Sequence, residues 1–381
     1  MKTRIILFTR RLDQGGAQRQ LVLLGCELRR RGYEVHVVVF YLGGEYENEL
    51  ISAGVPVHSP RKLGRWDVFR FLVHLLACVR EIRPNVIYSF LDLPNIVAVF
   101  LSYFVGRPRL IWGVRAAFME MSHYDWLTRC GSWLEARLSF VPDLIIANSE
   151  TGADWSVSRG FPKQRVVTVE NGIDVKHYTN DPEGRKNLRK KWGIEKDTFL
   201  VGLVARLDPM KGHSIFLRAC AQLLLNHPNM KFVCVGGGSK EYLQELKQLA
   251  QSLGLSDHLC WIEGASNMPA VYSALDLLCS SSCFGEGFSN VVGEAMACGL
   301  PCVVTDVGDS PRIVAELGEV VPPGDVDHLT AAILKMFKRM ASEPDLKNLL
   351  RQRIADNFSV EMMVSKTCQH LEGRALCVSC I

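Results

Sequence analysis

A chain of 381 residues, 48% hydrophobic and 22% charged, exceeds one ordinary core and is too apolar for a disordered or fibrous protein, so two soluble domains of comparable size are expected. The formal charge of +4 is uneven: residues 1–170 carry 22 Lys and Arg against 16 Asp and Glu, which makes that part +6 and the remainder −2. Such a surplus suits an anionic small molecule or an anionic membrane surface and falls short of a nucleic-acid footprint.

In chain order, "MKTRIILFTRR" holds an apolar core, residues 5–8, far too short for a secretory signal, and reads as the first strand. "TRRLDQGGAQRQL" then places Gly15 and Gly16 between that strand and a helix, "AQRQLVLLGCELRRRG", whose Arg-Arg-Arg-Gly end suits a helix C-terminus. The glycine pair lets backbone approach a phosphate at a helix N-terminus. It is not G-x-G-x-x-G, and no acidic residue is placed for a ribose, which weakens a hydride-transfer reading. "EVHVVVF", "NVIYSF", "RLIWGV" and "DLIIAN" continue as β-rich runs with helix-length segments between them. The longest apolar run, "IVAVFLSYFVG" from Ile96, is about half of the roughly 20 residues a bilayer span needs. "RKLGRWDVFRFLVHLLACVREIRP" mixes Arg and Lys with Trp66, Phe69, Phe71, Leu72 and Leu75. A helix lying on anionic lipid and an ordinary helix packed on the sheet both fit that pattern.

Residues 171–197 break the alternation with a polar, charged stretch bearing Gly and Pro, expected to connect two domains. "TFLVGLVA", "KFVCVGGG", "DHLCWIE", "LDLLCSS" and "PCVVTD" restart it, and from Asp325 the pattern is mostly helical. Uninterrupted apolar strands alternating with helices predict parallel sheets covered on both faces, here two doubly wound α/β domains facing across a cleft. The first is expected over 1–172 with a helix at 359–375 packing back onto it, the second over 173–358.

Ligands of such folds sit outside the carboxyl ends of the strands, so chemistry is sought in the loops after them. "CFGEGFSNVVGEAMAC" leaves one strand end, with Ser289 as the expected N-cap of a helix. Backbone N–H groups of Asn290, Val291 and Val292 then form an anion seat backed by the helix dipole. Glu286 before the helix and Glu294 one turn inside it can accept hydroxyl protons on either side of a phosphate. "RLDPMKG" puts Arg206 and Lys211 on another such loop, two cations able to neutralise a diphosphate. Gly236, Gly237 and Gly238 suit close approach to a flat ligand or a tight turn equally. "DVD" at 325–327 mimics a metal-binding D-x-D, yet Asp325 starts a helical pattern and reads as its N-cap. Thirteen cysteines, an odd number scattered through apolar runs, read as buried thiols in a reducing compartment, and the pair Cys377 and Cys380 lacks a second pair for zinc.

"ARLDPMKG", "EGFSNVVGEAMACGLPCVVTDVG", "VENGID", "CVGGGS" and "VPPGDVDHL" together resemble the retaining glycosyltransferases of family 4 (group 1), over nearly the whole chain. The resemblance implies the two-Rossmann GT-B architecture and sugar transfer, of the hexosyltransferase type, from a nucleotide-sugar donor without an essential metal. The donor would be UDP- or GDP-linked, and the acceptor a glycan or a lipid-linked glycan in polysaccharide or glycolipid biosynthesis. By the same resemblance Arg206 and Lys211 hold the donor diphosphate, Glu286 the sugar hydroxyls, Glu294 the ribose hydroxyls, and Gly16 the phosphate from the first domain. Many relatives carry a His near the reacting carbon, where "LIWGVRAAF" offers Arg115, which can bind hydroxyls or phosphate but cannot act as a base. His123 is the other candidate for that place, and Arg312 stands where relatives often have an acid. A cytoplasmic protein, in peripheral contact with the inner face of a membrane, is expected. A nucleotide-sugar epimerase of the same architecture and an inactive partner subunit are the alternatives.

Overall fold

The structure, a computed structural model, describes residues 2–60, 67–115 and 126–371. Trp66, His123, the Cys377 and Cys380 pair, and the end of the helix expected to reach residue 375 lie outside the described residues. The chain divides into two compact units, Met1–Gly172 with the chain from Val360 onward, and Ile173–Ser359.

The first unit runs β1 (Arg4–Thr9), α1 (Gly16–Arg30), β2 (Glu34–Val39), α2 (Glu47–Ser52), β3 (Val57–His58), α3 (Val68–Ile82), β4 (Val86–Phe90), α4 (Asp92–Phe104), β5 (Arg109–Val114), α5 (Trp126–Leu138), β6 (Leu144–Ala147), α6 (Glu150–Ser158) and β7 (Val166–Thr168). Its seven strands are all parallel, in the order β3-β2-β1-β4-β5-β6-β7. The run from Ile96, too short to span a bilayer, is α4, and among the described residues no helix is long and apolar enough to cross one. Each sheet face has its own core: Leu21, Val22 and Leu28 of α1 cover one, and Phe71, Leu75 and Val79 of α3 the other.

The second unit runs α7 (Pro182–Lys191), β8 (Leu200–Val204), α8 (His213–Asn226), β9 (Lys231–Val235), α9 (Lys240–Ser252), β10 (Leu259–Ile262), α10 (Met268–Ala274), β11 (Leu277–Ser280), α11 (Asn290–Ala297), β12 (Cys302–Thr305), α12 (Ser310–Val314), β13 (Glu319–Val321), α13 (Val326–Ser342) and α14 (Leu346–Phe358). The six parallel strands take the order β10-β9-β8-β11-β12-β13. The last helix, α15 (Val360–Leu371), returns to the first unit and packs on α1.

The stretch expected to be a plain connector instead contains α7, which packs on α10. Its start is spelled by Asp181, whose carboxylate accepts from Gly184 N at 2.8 Å, with Pro182 at the first helical position. So polar a helix stays on the domain because its two arginines are consumed. Arg185 donates to Asp276 Oδ1 at 2.7 Å, and buried Arg189 donates to Asp276 Oδ2 at 3.1 Å. The same Asp276 carboxylate accepts from Leu200 N, tying α7 to the start of β8. Asp325 caps α13 as expected, accepting from His328 N at 2.9 Å. All eleven cysteines among the described residues are free, and burial pushes the thiols of Cys220, Cys234, Cys279 and Cys302 far up.

Candidate active site

In each sheet the strand order reverses once, between β1 and β4 in the first and between β8 and β11 in the second. Chain leaving two such strands diverges and opens a crevice at their carboxyl ends. In the second unit those exits are residues 205–212 and 281–289, so the order of strands sets "RLDPMKG" beside "CFGEGFS". Main-chain and hydroxyl contacts stitch the two loops together. Cys283 N donates to Met210 O at 2.7 Å, and the Ser281 hydroxyl donates to the carbonyls of Lys211 and Gly212 at 3.1 and 3.0 Å. Gly212 has φ +65, and a Cβ there would stand 1.9 Å from Ser281 O, so only glycine lets the loops come this close. On the other side Asp309 N donates to Gly287 O at 3.0 Å, and Thr305 Oγ1 donates to Ser282 O at 2.6 Å. The Glu286 loop is thus fixed by backbone from both neighbouring strand exits.

What this rigidity holds is an ion pair. Lys211 Nζ donates to Glu286 Oε1, which also accepts from Ser282 Oγ at 2.7 Å. Both side chains are largely withdrawn from water, where such a pair is stronger than at the surface. An ammonium has three donors, so an anionic oxygen can join Glu286 on Lys211 without displacing it. Arg206 behaves differently: it is exposed and donates to Asp208 Oδ2 at 2.9 Å, while Asp208 Oδ1 accepts from Met210 N. The structure therefore brings Lys211 and Glu286 together and leaves Arg206 on the solvent side of the same loop.

α11 opens directly after this loop, with Ser289 at its N-cap position and Asn290 and Val291 as its first residues. The Ser289 hydroxyl does not cap the first turn, unlike the expected role, so those amides are not satisfied by it. Half-buried Glu294 accepts from the Tyr272 hydroxyl at 2.6 Å. Burial and the neighbouring Glu294 charge hold that phenol well above its ordinary range, so it remains a donor. Gly236 and Gly238 serve the fold, since Cβ atoms there would lie 1.9 Å from Ala205 O and 2.5 Å from the Leu207 side chain. Gly237 passes its carbonyl to Leu207 N at 2.8 Å, so the β9 exit braces the Arg206 loop.

His213, which the sequence reading did not single out, begins α8 directly after Lys211 and Gly212. Its ring is buried, with no hydrogen-bond partner for either nitrogen among the described residues. Burial, and next the Lys211 charge, lower its pKa to about 4, so the ring beside the ion pair is neutral. Its signal was its place immediately after the cationic loop, but a lone His at a helix start carries no chemistry by itself.

In the first unit Gly15 is the N-cap of α1 and Gly16 its first residue, with no carboxylate in the first turn. Arg115, at the end of β5, is locked in place: Nη1 donates to Asn171 Oδ1 at 3.2 Å and Nη2 to the buried Tyr88 hydroxyl at 2.9 Å. The guanidinium lies 4.5 Å from the centre of the Phe90 ring. Tyr88 and Asn171 were not foreseen, because they come from β4 and from the end of the first unit's main run. That end is gripped as well, by the buried Gln20 amide, which exchanges two hydrogen bonds with the Gly172 backbone at 2.8 and 3.0 Å.

Two family models match the chain, "Glycosyltransferase Family 4" over residues 14–177 and "Glycosyl transferases group 1" over residues 184–353. Among curated relatives, a GDP-mannose-dependent alpha-(1-6)-phosphatidylinositol monomannoside mannosyltransferase of Mycolicibacterium smegmatis is 33% identical over 223 residues, 56% of this chain. A D-inositol 3-phosphate glycosyltransferase of the same organism is 32% identical over 205 residues, 52% of this chain. The chain spans about half the length of these curated relatives, 58% of the first and 46% of the second. Among solved structures, Anabaena Alr3699/HepE in complex with UDP and glucose superposes with a TM-score of 0.86 at 22% identity, covering 97% of this chain and 100% of that one. WaaG, a glycosyltransferase involved in lipopolysaccharide biosynthesis, gives a TM-score of 0.75 at 16% identity, covering 97% of this chain and 100% of that one.

Proposed function

We propose that this chain, which belongs to the family 4 (group 1) glycosyltransferases of GT-B fold, moves a sugar from a nucleotide-sugar donor to a hydroxyl of a glycan or lipid-linked acceptor. The observation that carries the reading is the Lys211 and Glu286 pair, held on a backbone-clamped loop beside the N-terminus of α11. In this reading the donor diphosphate takes the remaining donors of Lys211, Arg206 swings from Asp208 to join it, and the first amides of α11 receive an oxygen. Glu286 and Glu294 hold hydroxyls of the donor sugar and of the ribose, and Gly237 stands near the base. The names of relatives support either base, GDP in the mannosyltransferase and UDP in the HepE complex.

Transfer proceeds with retention. The acceptor oxygen bonds to the anomeric carbon on the face from which the phosphate departs, the bond from that carbon to the phosphate oxygen breaks, and the leaving phosphate takes the acceptor's proton. Negative charge grows on the diphosphate in this step, so Lys211, Arg206 and the helix dipole lower its barrier without a metal ion. Arg115 acts by geometry: pinned to Tyr88 and Asn171, it presents a fixed cation rather than a base. On the first unit the amides of Gly15 and Gly16 offer a phosphate seat, and the acceptor is assigned to that unit. The protein is placed in the cytoplasm, in contact with the inner face of a membrane where lipid-linked acceptors reside.

Purified protein incubated with a panel of UDP- and GDP-sugars tests the reading. One donor should release nucleoside diphosphate slowly without acceptor and faster with it, and Glu286→Gln should abolish the release. Free epimerised sugar would instead assign an epimerase, and nucleotide binding without turnover on any acceptor would assign a partner subunit.

A further inference from the structure

Three helices on one face of the first sheet leave an apolar outer surface. α3 and α4 bury Phe71, Leu75, Val79 and Val99 against the sheet. Outward they present Phe69, 83% exposed, and Phe104, 61% exposed, with Val73 and Phe100 beside them. Between the two helices runs a groove of about 190 Å³ lined by Phe69, Leu72, Val73, Leu76, Phe100 and Phe104. α5, which packs on α4, adds the exposed indoles of Trp126 and Trp133.

The charges on this layer are one-sided. Arg70, Arg80, Arg83, Arg107, Arg129 and Arg137 are exposed on these helices or just past their ends, while Glu81 and Asp92 are the exposed carboxylates of α3, α4 and α5 among the described residues. Two of the cations ride on aromatic rings: the Arg107 guanidinium lies 5.5 Å from the Tyr103 ring centre and that of Arg137 lies 5.3 Å from the Trp133 ring centre. An apolar body with a cation at its tip suits a boundary between hydrocarbon and anionic headgroups.

We propose that the outer face of α3, α4 and α5 docks on an anionic phospholipid surface. A second copy of the chain fits poorly, because a two-fold contact through this face would set one copy's arginines against a surface whose exposed charges are again mostly arginines. A spanning role does not fit either, since the helices have 15, 13 and 13 residues, against the roughly 20 a bilayer needs. The proposal deepens the transferase reading, on which it rests for the claim that the acceptor is lipid-linked; the docking itself stands on the surface alone.

Full-length protein is sedimented with vesicles of phosphatidylcholine, with and without phosphatidylglycerol. Wild type is expected to pellet with the anionic vesicles, weakly with the neutral ones, and less in high salt. Phe69→Ser with Phe104→Ser, and separately Arg70→Glu with Arg137→Glu, should each lower the partition coefficient by about tenfold or more. Their melting temperatures and soluble donor hydrolysis should match wild type. Wild type that stays in solution, or either double variant pelleting like wild type, overturns the proposal. A wild-type dimer dispersed by the two Phe substitutions also overturns it and assigns the face to a second copy. Vesicle binding that persists with no donor hydrolysis in any form sinks the transferase reading and leaves the docking face standing.

Discussion

Glu286 accepts the Lys211 ammonium across a separation of 75 residues, and the Ser282 hydroxyl converges on the same carboxylate oxygen. Each charge finds its partner within the chain, so the fold itself keeps the pair neutral and oriented. Removing one member leaves the other desolvated and unpaired. Lys211→Ala and Glu286→Gln should each cost about 1–3 kcal/mol of unfolding free energy, and the double variant less than the sum by about 1 kcal/mol or more. Urea titration of the four proteins measures that coupling; strict additivity would mean that the pair does not form in solution.

Tyr272 competes for the carboxylate assigned to the ribose. Its hydroxyl donates to Glu294 Oε2 at 2.6 Å. Tyr272→Phe removes a hydrogen bond to a charged group and should cost about 1.5–3 kcal/mol. Glu294→Gln should raise the donor KM while leaving kcat within a few-fold, the pattern of binding lost equally in ground and transition states. A fall in kcat with KM unchanged would move Glu294 from the ribose to the reacting centre. Steady-state kinetics on the preferred donor decides between them.

Acid should destabilise the second unit through His213. Its folded pKa, about 4, lies below the ordinary value near 6.5. Between these values the unfolded chain binds a proton that the folded ring refuses. Stability therefore present above about pH 6.5 is lost as pH falls toward 4, by up to about 3 kcal/mol. His213→Phe, which keeps the ring volume, should flatten that part of the profile. Denaturant unfolding at a series of pH values compares the slopes, and identical slopes would show that the folded ring takes up the proton as readily as the unfolded one.

Close approach and backbone strain can be separated at two glycines. Gly254 has φ +72 with no atom within 4 Å of where a Cβ would stand, whereas Gly212 has φ +65 with Ser281 O 1.9 Å from that place. Gly254→Ala should cost about 1 kcal/mol from strain alone. Gly212→Ala must also push the loop bearing Lys211 off the Glu286 loop, and should cost about 3 kcal/mol or more. It should also lose donor hydrolysis, which Gly254→Ala should retain. Thermal unfolding alongside nucleoside diphosphate release checks both.

Much of this was legible before any coordinates. "RIILFT" and "RLIWGV" coincide with β1 and β5, because strands buried on both faces are written as unbroken apolar runs. The three short strands β3, β7 and β13 lacked such a run, and α7 hid in a segment whose polarity suggested a connector. Its cap and proline were in plain view, but nothing local said that Arg185 and Arg189 would find Asp276, some 90 positions on.

From its residues alone the chain determined two parallel α/β domains, the loops that carry Arg206, Lys211, Glu286 and Glu294, and the family to which it belongs. Periodicities of two and 3.6 residues, caps and turn residues act over a few positions, and a string of letters displays them fully. Folding in three dimensions decided who meets whom: Lys211 with Glu286, Tyr272 with Glu294, Arg115 with Tyr88 and Asn171. Those meetings depend on strand order, which places β4 next to β5 in the first sheet and β8 next to β11 in the second. That order is settled by how whole layers bury their apolar faces together, a property that no single segment possesses.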